Sequence, residues 1–303
     1  MLLHVLHETA YDYKSMVRTA QHMAHLKPAT TAYQELLSHR LVVDPAPARL
    51  TESVDVYGNT RSFFSLQFTH DWLRVQAESL VSTSEPPEPE EGLSWEEAAE
   101  RMRYRRGAVY DAASEFAFSS PYVPCDASFA SYAQPVFTPG KPLVAAAREL
   151  MRRIYTDFEY APASTDVNTP ALEALTLRKG VCQDLAHVML GCLRSLGLPA
   201  RYVSGYLLTH PAPGRPRLVG SDASHAWVSV YLPAEEGPGT WADLDPTNDR
   251  APGEDYVTLA IGRDYSDVSP IRGVLHGGAR HTLRVGVTVT PTETAAPEEV
   301  PAA

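Results

Sequence analysis

Cysteine is scarce, with only Cys125, Cys182 and Cys192 in a chain of 303 residues. An odd number at such wide spacing argues against a disulfide framework, and the lack of a CxxC pair argues against a zinc knuckle, so free thiols are expected. Long apolar runs are missing too. No stretch reaches the ~20 residues of a membrane span, and Met1-Leu-Leu-His-Val-Leu-His-Glu-Thr9 lacks the basic flank and the length of a signal peptide, so the cytoplasm is the expected compartment. Positive charge is in deficit. Lys and Arg number 26 against 37 Asp and Glu, for a net charge of -11, which speaks against nucleic acid or a membrane as partner because phosphate binding needs local cationic excess. The one basic cluster, Arg101, Arg103, Arg105 and Arg106, reads as a solvated helix face. There is no Walker loop, no dinucleotide fingerprint, no EF-hand-like loop, no His/Cys cluster with zinc spacing and no internal repeat, so no cofactor or metal is expected.

What is present is the composition of a globular protein. At 21% charged and 44% hydrophobic it fits neither a disordered nor a fibrous class, and 303 residues exceed the usual size of one domain. Residues 1–83 are β-rich: Leu73, Val75 and Ala77 alternate with Arg74, Gln76 and Glu78, Phe64, Leu66 and Phe68 repeat the period, and Asp55-Val-Tyr-Gly-Asn59 reads as a hairpin turn. A small antiparallel β domain is expected there. Residues 84–140 read as a linker: Ser84-Glu-Pro-Pro-Glu-Pro-Glu-Glu-Gly92 resists regular pairing, Ser94 and Glu97 have capping-box spacing for a short helix to about Tyr104, and 117–141 look irregular.

A core is expected over residues 141–290, with a disordered tail at 291–303. Pro142 opens a helix whose Leu143, Ala146, Leu150 and Ile154 share a face. Thr169-Pro170 opens another, which Gly180 stops. From Cys182 the apolar positions Leu185, Met189, Cys192 and Leu196 recur at helical spacing until Gly197. Strands are expected at about 201–208, 225–232, 241–245 and 281–290. In the last, Leu283, Val285, Val287 and Val289 alternate with polar residues or glycine, as on one buried face.

Cys182 therefore starts a helix, where unpaired N–H groups and the dipole favour a thiolate nucleophile and can support an oxyanion. A base must reach it. His187 is a poor candidate, because five helical residues turn it about 140° away around the axis. His225 opens the strand His225-Ala-Trp-Val-Ser-Val-Tyr-Leu232, and a histidine at a strand end can face a helix terminus. A carboxylate should hold the imidazole. Asp243 and Asp245 share a face of the next strand, and Asp245, the last residue before the Pro246-Thr-Asn turn, is favoured because sites open where loops leave strands.

Gly180-Val-Cys-Gln-Asp184, Ser224-His-Ala-Trp227 and Asp245-Pro-Thr-Asn248 resemble, in order and spacing, the three motifs of the transglutaminase-like superfamily. The resemblance continues through Leu196-Gly-Leu-Pro-Ala-Arg-Tyr-Val-Ser-Gly-Tyr206 and Gly262-Arg-Asp-Tyr-Ser-Asp-Val-Ser-Pro270. Residues 2–82 resemble the N-terminal domain of its bacterial branch. It implies an α+β, papain-like core behind the β domain, and a triad of Cys182, His225 and Asp245 performing acyl transfer on an amide of a peptide or protein. The family includes crosslinkers, peptidases and other amidases, so hydrolysis and transamidation both stay open. A non-catalytic binding module with a vestigial triad, and a metal-dependent hydrolase built on His225, are the rival classes.

Neighbouring residues carry blander alternatives. Gln183 and Trp227 can support the cleft or the oxyanion, although Trp227, like Trp241, more often fills a core. Tyr202 and Tyr206 are ambiguous in the same way. Asp184 reads as helix-end electrostatics, Asp264 and Asp267 as acceptors for backbone N–H groups, and Cys125 and Cys192 as core thiols. No sequence feature sets an oligomeric state.

Overall fold

Alternation of apolar and polar side chains runs through the first eighty residues, and there the chain is extended. A computed structural model describes residues 1–106, 110–161, 169–209, 224–234, 237–278 and 280–293; the expected tail lies outside them from residue 294 on. The first strands are β1 (Leu2–Ala24), β2 (Gln34–Asp44), β3 (Arg49–Val54), β4 (Thr60–Leu66) and β5 (His70–Thr83). They pair antiparallel in the order β2-β5-β1-β4-β3. Within the turn from β3 to β4, Gly58 takes φ of 87°, which a side chain would oppose, and Asp55 accepts from the N–H groups of Tyr57 and Asn59 at 2.9 Å each.

The central stretch supplies α1 (Trp95–Met102), α2 (Ala127–Ala133), α3 (Leu143–Asp157), the short β6 (Glu159–Tyr160), α4 (Ala171–Leu177), the short β7 (Lys179–Gly180) and α5 (Cys182–Ser195). Ser94 and Glu97 form the expected capping box on α1. Helix α2 lies in a stretch read as irregular. It is only seven residues long, but Asp126 caps it by accepting from Ser128 N–H at 2.8 Å, and Phe129, Tyr132 and Ala133 are buried. Cys125, just before that cap, is exposed rather than in the core, since it sits on a surface connection and not in a periodic run. Helix α4 ends at Leu177, earlier than Gly180, because Arg178 takes the left-handed conformation at φ 54°.

The rest comprises β8 (Ala200–Leu207), β9 (Ser224–Leu232), β10 (Thr240–Leu244), β11 (Tyr256–Gly262), α6 (Tyr265–Val268), β12 (Ile271–Gly277) and β13 (His281–Pro291). A four-stranded antiparallel sheet runs β10-β9-β8-β11, and α5 packs on β8 and β9 with α2, α3 and α4 against it. This mixed architecture, helices on a curled antiparallel sheet behind an N-terminal β region, is the α+β arrangement expected. The last two strands do not join that sheet. β13 pairs with the first half of β1, from Leu3↔Pro291 to Tyr13↔His281, and β12 pairs with its second half, so the first sheet has seven strands drawn from both ends of the chain.

The two sheets share one apolar core. Leu3, Val5, Val81, Val287 and Val289 from the first belong to the same buried cluster as Leu185, Met189, Cys192 and Tyr206. Side-chain amides join the sheets as well. Gln34 donates to Thr258 C=O at 2.8 Å and accepts from Thr258 N–H at 2.7 Å, and Asn59 does the same for Ile261 at 2.7 and 2.8 Å, satisfying the open edge of β11. His7 shares a hydrogen bond of 2.9 Å with the Tyr206 hydroxyl and one of 3.0 Å with Thr9, and burial holds its pKa down at about 4, so it is neutral at pH 7.

Candidate active site

Cys182 is the first residue of α5, at the point where β7 delivers the chain to the helix. Two features hold that junction. Asp184, buried in the first turn, accepts from Val181 N–H at 2.8 Å and so satisfies a backbone donor just ahead of the thiol. Gly180 lies directly against it: a Cβ there would sit 2.6 Å from Cβ and 2.7 Å from Oδ2 of Asp184. Gly180→Ala is therefore expected to destabilise the protein by about 1–3 kcal/mol in urea unfolding. An unchanged midpoint would show that the junction yields freely.

His225, the second residue of β9, bonds Asp245 and lines the same cavity as Cys182. Its Nε2 lies 2.7 Å from Asp245 Oδ2. Burial lowers the imidazole pKa, but the hydrogen bonds from Asp245 and Cys182, and then the charges of both, outweigh it and raise the pKa to about 10. Asp245 itself is 0% exposed, just after β10. Four donors converge on its carboxylate: His225 Nε2, Asn248 Nδ2 at 2.7 Å, the Tyr256 hydroxyl at 2.7 Å and Thr247 N–H at 2.8 Å. Burial pushes the carboxyl pKa up, yet the His225 contact first, and the Asn248 and Tyr256 donors after it, hold it below the ordinary value.

Asp243, the other carboxylate of that strand, faces elsewhere. It accepts from Trp227 Nε1 at 3.2 Å, and burial raises its pKa. Trp227 is fully buried among Val203 and Tyr256 and stands beside the His225 ring, with centroids 6.3 Å apart. His187 is also fully buried. It accepts from Tyr265 N–H at 3.2 Å and stacks on Tyr122, away from the thiol. Asp264 accepts from the N–H groups of Tyr122 and Ser266, and Asp267 from that of Arg263, as acceptors for backbone donors do.

Cys182, Gln183, Tyr202, Ser204 and His225 line a cavity of about 260 Å³. Its far side comes from the first sheet, through His7, Thr9 and Tyr11 of β1 and Leu283 and Val285 of β13. Asn248, Tyr256 and this far wall escaped sequence reasoning. Asn248 lay in view, three residues beyond Asp245 in the Pro246-Thr-Asn turn, where an amide can fold back on a carboxylate. Tyr256 and the wall have no local signal, since they reach the site through strand pairing. Among the described residues no group of three or more His, Cys, Asp or Glu side chains is arranged to hold a metal ion.

Residues 130–246 match the family model of the transglutaminase-like superfamily, and residues 3–82 that of the bacterial transglutaminase-like N-terminal region. Uncharacterized protein Rv2569c of Mycobacterium tuberculosis is 40% identical over 298 residues, 95% of this chain and 92% of that one. The chain belongs to the transglutaminase-like superfamily. A solved structure of a proposed cysteine protease from Cytophaga hutchinsonii shares this transglutaminase-like fold, at a TM-score of 0.73 and 21% identity over 97% of this chain and 92% of that chain. The protein-glutamine gamma-glutamyltransferase of Pseudomonas aeruginosa is 33% identical over 111 residues, 34% of this chain and 16% of that protein. No described helix is long and apolar enough to cross a membrane.

Proposed function

We propose that the protein is a cysteine-dependent amidohydrolase acting on peptide or protein amides, with Cys182 as nucleophile, His225 as acid and base, and Asp245 as the carboxylate that orients His225. One observation carries this reading: a single imidazole bonds the buried Asp245 and lines the same cavity as the Cys182 side chain. The Nε2 contact with Asp245 leaves Nδ1 to exchange a proton with sulfur. A protonated His225 is also the counter-ion that a thiolate needs.

In this mechanism the Cys182 sulfur bonds to the amide carbonyl carbon, and the C=O electron pair moves onto oxygen. The positive dipole end of α5, where Cys182 lies, favours that oxyanion. His225 then protonates the amide nitrogen, the C–N bond breaks and the amine leaves. A thioacyl enzyme remains. Water, losing a proton to His225, attacks the thioester carbon; the C–S bond breaks, the acid departs and the thiolate returns. A membrane or a nucleic acid has no place in this chemistry. The cytoplasm, where thiols are kept reduced, suits a nucleophile of this kind.

Trapping the intermediate tests the reading. Mixed with an activated peptide amide and quenched with acid, the protein should carry an acyl group on Cys182 by mass spectrometry, and His225→Ala should not. An acyl group spread over Cys125 and Cys192 would overturn it. Transamidation is the second reading, favoured by the match to the Pseudomonas gamma-glutamyltransferase. If an added primary amine captures the acyl group and little free acid forms, transfer replaces hydrolysis.

A further inference from the structure

In β13, Leu283, Val285, Val287 and Val289 share a face and form one apolar stripe. Burial along it is uneven. Val287 and Val289 are 1% and 0% exposed, whereas Leu283 and Val285 are 49% and 52% exposed. β1 behaves in parallel: Leu3 and Val5 are sealed in the core, while His7, Thr9 and Tyr11, further along the same face, reach the cavity. The register puts Thr9 opposite Val285 and Tyr11 opposite Leu283. The stripe thus outruns the core that buries it, and its uncovered end is a wall of the cavity into which Cys182 opens. Exposed apolar side chains at a site mark a surface that something covers. Among the described residues lining this cavity none is Asp, Glu, Lys or Arg, so a charged group against the β1/β13 wall would lose water and gain no partner there.

We infer that the β1/β13 wall is the subsite for an uncharged, apolar side chain on the acyl side of the scissile bond, which makes peptides with a hydrophobic residue at that position the substrate class. The inference rests on the triad reading above. It also assigns the first sheet a task, since Thr9, Tyr11, Leu283 and Val285 set specificity while α5 and the second sheet carry the reacting groups.

Three probes of the full-length protein test it, each followed by alkylation of Cys182 in intact-mass and peptide mass spectrometry. Iodoacetamide has no side chain; the others are N-acetyl-leucyl and N-acetyl-aspartyl vinyl sulfones. The leucyl probe should react about tenfold or more faster than the aspartyl probe, the scale on which apolar pockets discriminate. Leu283→Ser with Val285→Ser should remove most of that preference, with each vinyl sulfone rate taken relative to the iodoacetamide rate of the same variant. Val285→Lys should shift the preference toward the aspartyl probe, and both sites are exposed enough to accept the change. Equal rates for the two vinyl sulfones in the wild type, or a leucyl preference intact in both variants, would overturn the subsite while His225-dependent labelling left the triad standing. If iodoacetamide reacts with Cys182 no faster than with Cys125, and His225→Ala changes nothing, the triad and the subsite fall together.

Discussion

Replacing Cys182 with alanine is expected to reduce amide cleavage by about 10⁴-fold or more, the scale on which nucleophiles of triad enzymes fail. The unfolding midpoint should hardly move. Cys182 is only partly buried at the mouth of a cavity, and the backbone donor just ahead of it is satisfied by Asp184 rather than by the thiol. Cys192→Ala is the contrast: that thiol is 0% exposed in the core, so its loss should lower stability and spare catalysis. Steady-state kcat and urea unfolding on both variants separate the two effects. Residual activity of Cys182→Ala within tenfold of the wild type would end the nucleophile assignment.

Asp245 should show losses of both kinds. Asp245→Ala leaves the His225 ring, the Tyr256 hydroxyl, the Asn248 amide and Thr247 N–H without their shared acceptor, in a position closed to water. Breaking one side of such a buried network is expected to cost roughly 3–5 kcal/mol. Asp245→Asn keeps the volume and tests the electrostatics. With wild-type protein, His225 stays protonated until about pH 10, so the rate should hold through neutral pH and fall as pH passes that value. In Asp245→Asn the negative charge that helps raise the imidazole pKa is gone while burial still lowers it, so the alkaline limb should move to lower pH. Stability follows the same sign. A raised imidazole pKa contributes stability that is complete below the unfolded value of 6.5 and is lost as pH climbs to about 10. That decline should be shallower in Asp245→Asn. An alkaline limb at the same pH in both proteins would remove Asp245 as the partner that sets the charge of His225.

Local signals account for much of the architecture. Period-two alternation marked β5, β9 and β13, the Ser94/Glu97 pair marked α1, and the run from Cys182 to Leu196 marked α5; burial follows the alternation in much of β5, whereas β9 and α5 are buried at nearly every residue. Where elements are short, the pattern has no room. α2 spans two turns and shows itself chiefly by the Asp126 cap, and α4 stops at Arg178, a residue with no particular preference for the left-handed region. At the site, the positions of Cys182 at a helix start and of His225 and Asp245 at strand ends were legible; His225 bonds Asp245 and shares a cavity lining with Cys182. The far wall of the cavity was not. β13 looked like a strand buried along its whole face, yet only Val287 and Val289 are sealed, because its partner is β1, on the other side of the cavity from the thiol. Pairing between residues so distant along the chain leaves no trace in any local window.

The pairing of β13 with β1 also orders events in time. A ribosome releases Cys182, His225 and Asp245 before it has made residues 281–291, so a nascent chain holds the proposed nucleophile while β13 is still unwritten. Long-range pairing of this kind closes slowly. On the subsite proposed above, a chain stalled short of β13 would hold Cys182 and His225 with no Leu283 or Val285 beside them.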